Sequence, residues 1–307
     1  MNGLDLTATE STEPVGASTA SEASAGTTAA LAPPAAPTVR IRASSGWRAL
    51  DLAELWRYRD LLLFLAWRDV TVRYKQTALG VAWAVLQPLL TMFVFAIFFG
   101  MLARVPSDGV PYALFTLVGL LPWQLFSFAL TQSSQSLVAE QRLITKVYFP
   151  RLIVPLASVA SGLADFAVAF VLVLGAMAFY RVEPTVNLLA VPLLVLFALA
   201  TALAVGLWLA ALNVQYRDVR YAVPFLTQVW MFATPVAYPS SLVPEAYRPL
   251  YGLNPMAGVV ESFRWALLGL GEPSVGLMVV SAVTVLVLLV AGMYYFRRLE
   301  RQFTDIV

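Results

Sequence analysis

Residues 68–79 read Arg68-Asp69-Val70-Thr71-Val72-Arg73-Tyr74-Lys75-Gln76-Thr77-Ala78-Leu79, and the chain then runs through Trp83-Ala84-Val85-Leu86-Gln87-Pro88 into a long apolar stretch. A charged amphipathic segment ends here and membrane-spanning sequence begins. The junction marks a membrane boundary, and its basic residues mark the side facing the cytoplasm.

Working outward, composition fixes the class. Of the 307 residues 60% are hydrophobic and only 12% charged, and the mean hydropathy is strongly positive, so most of the chain lies in lipid. A net charge of +2 is too small for a phosphate-binding surface, which needs clustered Lys and Arg, and nucleic acid is set aside as a partner. The chain has no cysteine and no histidine. That excludes disulfides, thiolate chemistry, zinc sites with N or S ligands and histidine acid–base catalysis.

Three regions follow. Residues 1–38 are rich in Ala, Ser, Thr, Glu and Pro, lack apolar periodicity, and read as a disordered cytoplasmic tail or, alternatively, a regulatory or docking tail. Its acidic residues Asp5, Glu10, Glu13 and Glu22 are unlike a signal peptide. Residues 39–77 hold a linker and an amphipathic interface helix over 51–75, with Leu52, Leu55, Trp56, Leu63, Ala66, Trp67 and Val70 at helical spacing. This helix lies on the membrane surface or packs on other protein. Residues 78–307 form a transmembrane domain, all-α, with six spans expected near 78–101, 112–137, 152–179, 187–212, 222–238 and 274–296, each close to the roughly 20 residues that cross the hydrocarbon core. The second is the weakest, because Pro122, Gln124, Gln132 and Gln135 dilute it.

With the amino terminus inside, sixteen of the twenty basic residues fall on cytoplasmic segments, against Arg104, Arg181, Arg248 and Arg264 outside. Such a partition places both termini in the cytoplasm, in a multi-pass protein of the cytoplasmic membrane. Between spans five and six, residues 239–272 are proline-rich, yet 256–270 are largely apolar. That stretch is too short and too polar to cross, so a re-entrant hairpin on the outer side is expected.

No phosphate loop is present: the only lysines are Lys75 and Lys146, and neither follows the required glycine. Asp165 is the one acid near the middle of an expected span, which is no ion relay, so any transport by this chain would draw its energy from a partner. The carboxylate itself is either functional or a structural group satisfied by Ser158, Ser161 and other polar side chains. After span two, Glu140-Gln141-Arg142-Leu143-Ile144-Thr145-Lys146-Val147-Tyr148-Phe149-Pro150-Arg151 mixes charge with apolar residues and ends at a proline. It reads as a short surface helix that docks in a partner's groove, or as a plain interfacial loop.

Four stretches in order, the opening junction, Glu140 to Arg151, Thr234-Pro235-Val236-Ala237-Tyr238-Pro239 and Leu253-Asn254-Pro255-Met256-Ala257-Gly258-Val259-Val260-Glu261-Ser262-Phe263-Arg264, resemble the type-2 ABC export permeases for polysaccharides such as O-antigen, capsule and teichoic acid. The resemblance covers about residues 50–307. It implies a homodimer of six-helix subunits with two separate ATPase subunits, which bind the ATP and Mg, so no cofactor is expected on this chain. Its substrate would be a lipid-linked glycan. On that pattern Glu140, Arg142, Leu143, Ile144, Lys146, Val147, Phe149 and Pro150 belong to a coupling helix on the ATPase. The interface helix meets membrane lipids, and Asn254, Pro255, Glu261 and Arg264 belong to an outer gate.

Two further sets come from spacing and charge. Trp83, Gln87, Thr91 and Phe98 share a stripe of span one, and Thr227, Met231, Thr234 and Tyr238 a stripe of span five. Aromatic faces and hydrogen-bonding groups suit sugar rings, though such stripes also serve helix packing. Arg68, Arg73, Tyr74 and Lys75 form a candidate substrate entrance whose cations either hold headgroup phosphates or set topology alone. Rival readings are the same architecture exporting drugs or small lipids, and a membrane-embedded glycosyl or lipid transferase. The latter needs clustered carboxylates, whereas Asp108, Glu183, Glu245, Glu261 and Glu272 are spread over three loops.

Overall fold

The computed structural model describes residues 52–75, 80–244, 247, 251–271 and 275–300, and among these there is helix and no strand. The tail 1–38, the linker up to Asp51 and the junction residues Gln76 to Leu79 lie outside the described residues. Among the described residues ten α-helices follow in order: α1 Leu52–Arg57, α2 Arg59–Lys75, α3 Gly80–Phe95, α4 Tyr112–Ala139, α5 Gln141–Lys146, α6 Ile153–Phe179, α7 Val191–Gln215, α8 Val219–Ala233, α9 Pro255–Leu268 and α10 Val275–Glu300. A π-helical turn, Ala96–Leu102, prolongs α3, and a 3-10 turn, Val186–Ala190, precedes α7.

Among the described residues five helical segments are long and apolar enough to cross a membrane: Ala82–Leu102, Tyr112–Ala139, Ile153–Phe179, Val186–Gln215 and Val275–Leu299. They coincide with the expected spans one, two, three, four and six to within a few residues. The least apolar of them, α4, is the centre of the subunit: 78% of its window is buried, against 11% for α3 and 17% for α10. Its polar residues are the reason. Thr116, Ser133, Ser134 and Ser136 are buried against protein instead of facing lipid, and Asn213 of α7 donates to the Ser134 carbonyl at 3.0 Å. Small residues on α7 (Ala198, Ala202, Gly206, Ala210) bring the two backbones close. A Cβ built on Gly206 would stand 2.6 Å from Ser133 Oγ and 2.9 Å from its Cβ. Gly206→Ala therefore overpacks the α4–α7 contact, and we expect about 1–3 kcal/mol of lost stability, read as a lower melting temperature in detergent. An unchanged melting temperature would contradict this contact.

The expected fifth span, 222–238, is helical over only part of its length, and extended backbone carries the chain on to the level of Tyr112. The helix there is α8, which stops at Ala233 after 15 residues, about 22 Å at 1.5 Å per residue, short of the ~30 Å hydrocarbon core. The cause is local: Pro235 disfavours helical geometry at the residue before it, and Thr234 is extended at φ −105°, ψ 142°. The stretch from Thr234 to Ala237 is buried non-helical backbone, and side chains satisfy its carbonyls. Arg264 donates to Val236 at 2.7 Å and to Tyr238 at 3.4 Å. Tyr112 donates to Ala237 at 2.6 Å, and the Asn254 amide donates to Ala233 at 3.1 Å. Irregular backbone at membrane depth persists only with such cover.

The hairpin between α8 and α10 is re-entrant, as expected. Asn254 caps α9, accepting from Met256 N at 3.2 Å and from the Trp230 indole at 2.9 Å, with Pro255 at the first helical position. Gly269, in left-handed backbone at φ 67°, ends the helix. Trp230 packs edge-on against Phe126, halfway along α4, at 5.0 Å between centroids. Arg264 lies over Phe115 near the start of α4 at 3.6 Å, so α9 climbs from mid-depth back to the end where α4 begins.

The interface segment is two helices, α1 and α2, that break at Tyr58. One face of α2 packs on protein. Leu65 is buried with Phe149, Ile153, Val154 and Ala157, which sets α2 alongside the first turns of α6. Its other face leaves Phe64 and Trp67 exposed, and Trp56 of α1 is exposed with them.

Candidate functional site: a polar cavity between the interface helix and the spans

The last turn of α2 delivers Arg73 and Tyr74 to the thirteenth residue of α6, Asp165. Arg73 forms an ion pair with Asp165 and Tyr74 donates its hydroxyl to the same carboxylate. The Arg73 guanidinium also reaches Ser161 Oγ at 3.3 Å and lies 4.2 Å from the Phe128 ring centroid. Of the polar groups expected around Asp165, those that reach it are a cation and a phenol of another helix, while Ser161 supports Arg73 and donates to the Ser158 carbonyl at 2.8 Å. Burial first, then the hydrogen bond and charge of Asp165, push the Tyr74 hydroxyl up to about 12, so it stays protonated and a donor at physiological pH.

These groups wall a cavity of about 530 Å³, within the roughly 300–1,000 Å³ typical of ligand sites. Trp83, Gln87 and Gln124 face it beside Arg73, Tyr74 and Asp165, and Leu121, Leu125, Phe128, Phe166 and Ala169 supply an apolar floor. The spacing of α3 placed Trp83 and Gln87 correctly on one face. Thr91 and Phe98 do not join them: Thr91 bonds back to the Gln87 carbonyl at 3.0 Å, and Phe98 is exposed on the π-helical turn. Gln124 and Phe128 were not among the expected site residues. Their signal was a glutamine and a phenylalanine one turn apart on α4.

The span-five stripe lies elsewhere. Thr227 and Thr234 are buried, bonded to the Val223 and Trp230 carbonyls at 2.9 Å each, Met231 packs into the core, and Tyr238 meets Tyr251 at 2.9 Å. The hairpin residues Asn254, Pro255 and Arg264 hold the break after α8, with Glu261 half-buried one turn before Arg264. Among the entrance residues Lys75 is exposed and does not line the cavity.

Arg68, five residues before Arg73, makes a second anchor. Its guanidinium forks onto Glu140, with one bond of 3.2 Å, and also reaches Asp69 at 2.8 Å. The Glu140 bond, opposed by burial, raises the Arg68 guanidinium above its ordinary value. Glu140 begins α5. On that helix Leu143 and Ile144 turn inward against the α1–α2 layer with Phe149, Pro150 is half-buried, and Arg142, Lys146, Val147 and Tyr148 remain exposed.

Comparison with known proteins places these elements in a common frame. An O-antigen export system permease of Myxococcus xanthus is 35% identical over 253 residues, covering 80% of this chain and 95% of that protein. One from Klebsiella pneumoniae is 28% identical over 249 residues, covering 81% and 95%. A polysialic acid transport protein of Escherichia coli is 23% identical over 252 residues, covering 79% and 94%. The family model described as ABC-2 type transporter matches residues 60–268, a range that begins in α2, contains every cavity residue and ends with α9. With most of its length inside that match, this chain belongs to the ABC-2 type transporter family.

Proposed function

We propose that the chain is the membrane permease of an ATP-driven exporter that carries lipid-linked polysaccharide, of the O-antigen, capsule or teichoic-acid kind, across the cytoplasmic membrane. Two copies work with two ATPase subunits, which bind the ATP and Mg, and both termini are cytoplasmic. The basic-residue partition of the sequence supports this orientation. The names of the relatives favour polysaccharide over drugs or small lipids.

The observation that carries the reading is α5. Its inward residues Leu143 and Ile144 are held by the subunit's own α1–α2 layer, and its outward residues form a surface of cations, Val147 and a 76% exposed Tyr148. A helix braced from behind transmits force without deforming, and the outward face offers charge and an aromatic anchor to a groove on the ATPase. The aromatic face of Trp56, Phe64 and Trp67 suits the lipid headgroup boundary. Co-expression with the cognate ABC ATPase tests this. A stable complex with permease-dependent ATP hydrolysis is expected, and Lys146→Glu with Tyr148→Ala should reduce co-purification at least tenfold. Full complex recovery by that double variant would overturn the docking role, and absence of any ATPase complex would overturn the exporter reading.

A further inference from the structure

The Arg73–Asp165 pair is not sealed in the subunit. The two side chains keep 25% and 31% of their surface and both open onto the cavity. A guanidinium binds phosphate through two parallel bonds and prefers a doubly charged, bidentate partner to a single carboxylate shared with another donor. The cavity holds much more than a carboxylate. Beyond Arg73 it presents Gln87, Gln124 and Trp83, 52% exposed, which are amide and aromatic groups suited to a hydroxylated ring. Its floor is apolar.

Position decides what kind of molecule brings the phosphate. Asp165 is about 18 Å along α6 from Ile153, and α6, at 27 residues, is about 40 Å long. The pair therefore sits in the half of the membrane nearer α5, between spanning helices, where an acyl or isoprenyl chain has lipid beside it.

We infer that this cavity receives the phosphate of an amphiphile's headgroup, and that Asp165 is a displaceable counter-ion which holds Arg73 until the phosphate takes it over. The inference rests on the exporter reading for the substrate class, a phosphate-linked saccharide on a lipid. Tyr74 makes the exchange feasible. When Arg73 turns to the phosphate, Asp165 keeps the Tyr74 hydroxyl as a donor, so the displaced carboxylate is not left bare at membrane depth. No proton has to move.

The sign of one substitution tests this. With the full-length chain in detergent, binding of farnesyl diphosphate is measured by titration, with farnesol as the phosphate-free control and inorganic pyrophosphate as the lipid-free one. Asp165→Asn removes the competitor and should tighten farnesyl diphosphate binding about tenfold, whereas Arg73→Gln should weaken it at least tenfold and the double variant should match Arg73→Gln. A purely structural Asp165 predicts the opposite, so unchanged or weaker binding by Asp165→Asn overturns the proposal. So does farnesol binding as tightly as the diphosphate. Farnesyl diphosphate binding more tightly than pyrophosphate supports a lipid headgroup as the source, and pyrophosphate binding as tightly or more tightly overturns it in favour of a free anion. If Asp165→Asn fails to fold, the wild-type chain still decides: farnesyl diphosphate should change tryptophan emission saturably, and Trp83→Phe should remove that change. No saturable change in the wild type overturns the site. The two readings fail separately. Intact ATPase coupling and glycan export without tighter Asp165→Asn binding removes the site and leaves the exporter, and tighter binding without an ATPase complex does the reverse.

Discussion

Arg264→Leu is expected to lower the melting temperature of the purified permease by about 5–10 °C and to cut its yield in membranes several-fold. Arg264 is only 4% exposed, and its guanidinium holds the Val236 and Tyr238 carbonyls where α8 has stopped and backbone partners have run out. Each orphaned carbonyl costs roughly 1–3 kcal/mol, and the stacking on Phe115 adds about 1–2 kcal/mol. Removing a buried charge recovers part of its desolvation cost. The balance still falls to destabilisation, by about 2–4 kcal/mol, because the guanidinium is weakly hydrated to begin with and the carbonyls cannot reach water. Arg264→Lys, which keeps the charge but only one reachable bond, should lie between the two. Fluorescence-detected gel filtration across a temperature ramp reads all three, and a leucine variant as stable as wild type would disprove the role.

Glu140→Arg should reduce surface polysaccharide at least tenfold while moving the melting temperature by less than about 2 °C. The small stability term follows from exposure: the Arg68 and Glu140 side chains keep 35% and 23% of their surface, and such pairs contribute on the order of 1 kcal/mol or less. The large functional term follows from placement. Glu140 starts α5 and Arg68 sits on α2, whose next cation, Arg73, reaches the cavity. One helix thus joins the proposed ATPase contact to the proposed substrate site. Combining Glu140→Arg with Arg68→Glu restores opposite charges and should recover most of the export. Export lost equally in the single and the double variant would assign the loss to something other than this pair.

Five spans were legible because an apolar run of about 20 residues has few other readings. The exception, at 222–238, was a helix for the first two-thirds of its length. Hydropathy sees Thr234 to Ala237 as apolar, and only Pro235 signals the break. The cavity was half legible. Arg73, Tyr74, Trp83, Gln87 and Asp165 were each singled out, from charge, polarity in an apolar run or spacing. Their convergence was not, since it depends on α2 running beside α6 for several turns, and no periodicity in α2 says which of its two apolar faces meets protein. The span-five stripe does not reach this cavity: Thr227 and Thr234 bond to their own helix's carbonyls and pack inward. That Leu143 and Ile144 turn inward was not legible in α5 alone, because it depends on the α1–α2 layer beneath the helix.

The burial of α4 also bears on how the protein is made. Among the five long apolar segments α4 is the least apolar, so it partitions least readily into lipid as it leaves the translocon. The Ser134 and Ser136 hydroxyls turn back onto carbonyls of α4 itself, and the Ser134 carbonyl gains its donor, Asn213, only once α7 has been made. The helix that organises the finished subunit is the poorest at entering a bilayer unaided, and its residence there is completed only when α6 and α7 have followed it from the ribosome.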